Sequence, residues 1–119
     1  MSQNFQAGDF LIFQIESAYG LLRILAIEED AGERVFHLAA YNEMFLDIET
    51  ADAAVGNSDS LTINKSHLAL TTRAFESTQV ARMGNAPLTG AELKPFEDWK
   101  QDANRKISDL SVRLLLGLR

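Results

Sequence analysis

The chain has 119 residues, 46% apolar and 24% charged, with 17 acidic side chains against 11 basic ones and a formal net charge of −6. That size and mix describe a single soluble domain, able to bury roughly two-thirds of its unfolded surface. Zero cysteine excludes disulfide frameworks, thiolate metal sites, iron–sulfur clusters and thiol nucleophiles, and no apolar run approaches the ~20 residues of a membrane helix.

The opening MSQNFQAGDF lacks the basic start and apolar stretch of a secretion signal, so a reducing cytoplasm is the expected compartment. Gly8-Asp9 then introduces a first strand, FLIFQIE, apolar on both faces at its start and polar at its end. Residues 17–20, Ser-Ala-Tyr-Gly, read as a turn, with Gly20 free to adopt a positive φ. A second strand, LLRILAIEED, sets Leu22, Ile24 and Ala26 against Leu21, Arg23, Leu25 and Ile27. A polar loop from Glu28 to Glu33 follows, with Gly32 as its left-handed residue. The third strand, RVFHLAAY, sets Phe36, Leu38 and Ala40 against Val35, His37, Ala39 and Tyr41. Short connections make these three an antiparallel meander.

Beyond Tyr41 the pattern predicts a fourth strand over 44–49 with one wet face, then a long loop over 50–60. Two short β segments are expected at 61–63 and 67–75, and a last strand at 80–83. Thr89 and Glu92 form a capping box, and Leu88 and Leu93 a hydrophobic staple. Leu93, Phe96, Trp99, Ala103, Ile107, Leu110 and Leu114 recur at helical spacing. An unbroken helix over 91–117 would run roughly 40 Å, too long for a domain of this size, so a break is expected near residues 102–104. The tail RLLLGLR is apolar all round and must be enclosed, either by the chain's own sheet or by a second copy in a homodimer.

The charge is unevenly spread. Residues 1–60 hold 11 acids against Arg23 and Arg34, a balance of −9, whereas residues 61–119 hold six acids against nine bases, a balance of +3. Nucleic acid is not an expected partner, because Lys and Arg are not gathered in one place. A basic protein suits the acidic half. Its strongest acidic focus is Glu28, Glu29, Asp30 and Glu33, the candidate protein-binding residues.

Phosphate-binding, dinucleotide, zinc-protease, calcium-loop and nucleophile-elbow motifs are all missing. No catalytic residue is assigned, and a non-catalytic role is expected. Asp47, Glu49 and Asp52 could offer hard oxygen ligands, but at no recognised calcium-loop spacing, so no metal site is assigned. His37, on a strand face with Val35 and Tyr41, is the one candidate cofactor residue, as an axial ligand to haem in a pocket between sheet and helix.

The Gly8-Asp9 strand answered by Gly20, Leu22 and Arg23 resembles small SH3-like barrel proteins, among them the immunity proteins of bacterial polymorphic toxin systems. The resemblance spans residues 8–38 and implies binding and neutralising a toxin. The expected architecture is α+β: an antiparallel, SH3-like or barrel-like sheet of about five strands within residues 1–83, and a helical region over 88–117 packed on it, as one domain of residues 1–119. The expected function is a non-catalytic protein-binding module. A small-ligand protein, with haem as one ligand, is the alternative.

Overall fold

The computed structural model describes residues 4–118 and, within them, every side chain but that of Asp30. Strands β1 (Asp9–Ile15), β2 (Ala18–Asp30), β3 (Glu33–Phe45), β4 (Ile63–Thr71) and β5 (Val80–Asn85) form one sheet in the order β4-β3-β2-β1-β5. Every neighbouring pair is antiparallel. Helices α1 (Ile48–Val55), α2 (Thr72–Glu76), α3 (Gly90–Gln101) and α4 (Val112–Leu115) complete an α+β fold.

The sheet does not close into the expected barrel. β4 and β5 lie at opposite edges, and β4 instead receives the backbone of Ser108, which donates to Ala69 O at 2.7 Å and accepts from Thr71 N at 3.0 Å. The reason is that both faces are apolar, and each is covered by helices. Leu11, Phe13, Leu22, Ile24, Phe36 and Leu38 pack on one face with Ala74 and Phe75 of α2 and Val112 of α4. Phe10, Ile12, Leu21 and Tyr41 meet Ala51 of α1 on the other, beside Leu25 and Ala39 under Phe96 of α3. A sheet coated on two sides stays open.

Both hairpins are tighter than the sequence suggests. Glu16 and Ser17 make the first turn, with Glu16 at φ 48°, so Gly20 is not a turn residue. It lies inside β2 opposite Phe13, where an added Cβ would sit 2.7 Å from the Phe13 ring. Gly20→Ala is therefore expected to destabilise the protein by about 1–3 kcal/mol through overpacking, read from its urea midpoint. In the second hairpin the expected loop shrinks to Ala31-Gly32, at φ 54° and 84°, the two positive values of a type I′ turn. Glu28, Glu29, Asp30 and Glu33 consequently belong to strands.

β3 keeps its predicted faces, but β2 changes phase. A bulge between Ile24 and Ala26 slips the register against β3. Past it Ala26 joins Leu25 under α3, and Ile27 joins Phe36 on the opposite face, the reverse of strict alternation. The same slip delivers Glu28 to the face that carries His37.

The expected fourth strand over 44–49 does not form. β3 continues to Phe45, and Asp47 caps α1 by accepting the Thr50 amide at 2.7 Å. α1 and a 3-10 turn at Ser58–Ser60 occupy most of the expected loop. The β segments expected at 61–63 and 67–75 are one bulged strand, β4, and residues 72–75 are helical instead, because Thr71 caps α2 by accepting from Ala74 N. α3 has the predicted capping box, and Leu88 and Leu93 share one cluster. It ends at Gln101, where the break is expected, but the helix does not resume beyond it. Residues 102–111 are not helical, Ser108 pairs with β4 instead, and Ile107, Leu110 and Leu114 are exposed rather than continuing one helical face. Val112 is buried and Leu115, Leu116 and Leu118 rest on the first core, so the tail docks on its own sheet.

Candidate functional site

Arg23 ties three segments together from the middle of β2. Its guanidinium donates to Gly8 O at 3.0 Å, Ala86 O at 2.8 Å and Glu92 Oε2 at 2.9 Å, and lies 4.0 Å from the centre of the Phe10 ring. Glu92 meanwhile accepts the Thr89 amide through Oε1, so one carboxylate both caps α3 and pins it to the sheet. Asp9, fully buried, accepts from Arg82, Asn85 and the Gln6 amide. Burial by itself would raise its pKa, but those donors outweigh burial and lower it. The residues that suggested an SH3-like barrel thus hold the N-terminal segment, β5 and α3 in place.

His37 is fully buried and joins a chain of polar contacts. Its Nε2 lies 3.0 Å from Glu28 Oε1 and its Nδ1 2.9 Å from His67 Nε2. A carboxylate only accepts, so His37 donates through Nε2 and accepts through Nδ1, and His67 donates to it. Phe96 and Trp99 of α3 pack against the His37 ring at centroid distances of 4.5 and 4.7 Å, and Lys100 lies 3.7 Å from Glu28. Burial lowers the pKa of His37 against the pull of Glu28. Burial, with His37 beside it, lowers that of His67 to about 4. Both rings are therefore neutral near pH 7. No motif announces this pairing; it requires the bulge in β2 and the register of β4.

Neither nitrogen of His37 is free for iron, since ligation would break one of the two contacts just described. The cavity between sheet and α3 is lined by Leu25, Ala39, Tyr41, Ile63, Ala91 and Pro95 and holds about 230 Å³, smaller than the ~300–1,000 Å³ of drug-sized sites. Among the described residues no group of three or more His, Asp or Glu is arranged to hold a metal ion. None of the described helices is long and apolar enough to cross a membrane.

Of the four candidate protein-binding residues, Glu28 turns inward to His37 and Lys100. Glu29 pairs across the hairpin with Arg34, and Glu33 is exposed. The side chain of Asp30 lies outside the described residues. A second acidic stretch stands at the other end of β3, where Glu43, Asp47, Glu49, Asp52 and Asp59 follow one another with no Lys or Arg between Arg34 and Lys65. Met44, Leu46 and Ile48 alternate with the first of these acids and are exposed. In the sequence that alternation passes for a strand with one wet face.

Comparison with protein-family models, with curated proteins and with solved structures finds no match.

Proposed function

We propose that the protein is a non-catalytic module that binds a basic protein through its acidic N-terminal half, in the manner of the toxin-neutralising immunity proteins that residues 8–38 resemble. One observation carries this reading. Of the two bases in residues 1–60, Arg23 is only 2% exposed and is paired with Glu92. That leaves Arg34 as the one exposed base of that stretch against ten acids other than the buried Asp9, with Lys100 of α3 beside one of them, Glu28. An excess of exposed acids over exposed bases steers and holds cationic partners.

The test is titration with an amphipathic peptide of alternating leucine and lysine, at low and high salt. The affinity is expected to fall about tenfold or more with salt, and as far when Glu29, Glu33, Glu49 and Asp52 are all reversed to lysine. A leucine–glutamate peptide is expected not to bind. Affinity indifferent to salt and to the reversals would remove the acidic half as the contact surface. A small apolar ligand in the cavity beneath α3 is the second reading, favoured by its lining of Leu25, Ala39, Ile63 and Pro95.

A further inference from the structure

We infer that the turn joining β3 to α1 is the docking point of that partner, and that it takes a basic segment carrying large apolar side chains. The inference deepens the reading of the acidic half and rests on it. Met44, Leu46 and Ile48 are 47%, 83% and 51% exposed, three large apolar side chains within five residues. Soluble domains scatter such groups singly, and a run of them rimmed by polar residues marks a contact surface.

The rim decides what covers it. Glu43, Asp47, Glu49 and Asp52 precede, interrupt and follow the run along the chain, without a Lys or Arg among them. Two of these carboxylates are fixed in place. Glu43 accepts the Thr62 amide and hydroxyl, and Asp47 accepts the Thr50 amide and hydroxyl. Those bonds lower both pKa values and keep the rim charged in mild acid. A second copy docking about a two-fold axis would set these acids against their own equivalents, which repels. A cationic segment meets them with complementary charge, and its apolar side chains cover Leu46. The hairpin end at Glu29 and Glu33 is less suited, because Arg34 lies across from Glu29 and Lys100 beside Glu28.

Leu46 supplies a test in which charge and apolar contact predict opposite signs. The probe is the leucine–lysine peptide, followed by chemical-shift mapping and by its dissociation constant. Leu46→Glu adds a negative charge, so attraction by charge alone predicts tighter binding. Docking on Leu46 predicts about tenfold weaker binding for both Leu46→Glu and Leu46→Lys. The exposed position lets both variants fold, which their amide spectra confirm. Shifts confined to residues 43–52 and weakening by both variants are the expected result. Unchanged or tighter binding by Leu46→Glu overturns the site. If the reversals at Glu29 and Glu33 then abolish binding, the acidic half stands and the turn alone fails. Absence of salt-sensitive binding in every variant overturns both. A dimer that dissociates on Leu46→Glu would make a second copy the occupant and overturn the basic partner.

Discussion

Arg23→Ala is expected to destabilise the protein by about 3–5 kcal/mol, a large fraction of the ~5–15 kcal/mol that holds an ordinary domain folded. The guanidinium donates to three segments at once: Gly8 ahead of β1, Ala86 after β5 and Glu92 in α3. Truncation takes the guanidinium donor from the Ala86 carbonyl, which carries the desolvation penalty of an unmade bond, while the Gly8 carbonyl keeps the Ala86 amide at 3.2 Å and loses only its second donor. It also leaves Glu92 without its cation and Phe10 without the planar group stacked on it. Lysine recovers little, because one ammonium cannot span a fork of acceptors on different segments. Glu92→Gln is the informative control. Glutamine can still complete the capping box, so it isolates the ion pair, and a loss of about 1–2 kcal/mol is expected. Urea unfolding of the three variants measures this. An Arg23→Ala protein as stable as the Glu92→Gln one would show that the carbonyl contacts to Gly8 and Ala86 contribute nothing.

Local chemistry carries far in this chain, and register does not. The capping box at Thr89 and Glu92 and the alternation of Phe36, Leu38 and Ala40 against His37, Ala39 and Tyr41 are legible because neighbouring residues determine them. So is the end of α3, which follows from the size of the domain. The run over 44–49 misleads because an exposed apolar turn and a half-buried strand share one pattern, and only the cap on Asp47 separates them. Gly20 misleads for a related reason: glycine also serves where another side chain needs the space, here the Phe13 ring. The open sheet was out of reach of strand patterns. Closure depends on what covers each face, and the helices that cover them are short, α2 having five residues and α4 four. The pairing of His37 with His67 lay equally far off. It needs the slip at Ile24 and the register of β4, and neither leaves a mark in composition.

That histidine pair makes stability depend on pH in a stated window. Unfolded, His67 titrates near its ordinary 6.5; folded, burial and the neighbouring His37 hold it at about 4. Between these values the unfolded chain binds the extra proton, so stability falls as pH falls. The contribution is fully present above pH 6.5 and is spent by pH 4. For a partly buried ring the loss is about 2–3 kcal/mol after allowance for solvent screening. His37 adds to it with the same sign, since burial lowers its pKa as well. Asp9 acts in a separate window. Its pKa lies below 3.8 in the folded protein, so its contribution holds until the pH drops past the histidine range. His67→Gln keeps a side-chain donor for His37 Nδ1 and removes the titrating group. Urea midpoints taken near pH 7 and again near pH 4.5, with Trp99 as the fluorescent reporter, are expected to fall by less than half as much in the variant as in the parent. Trp99 suits the purpose because its ring lies 5.6 Å from that of His67 and its indole donates to Lys106 O. Equal losses in the two proteins would assign the acid sensitivity to the carboxylates and acquit the imidazoles.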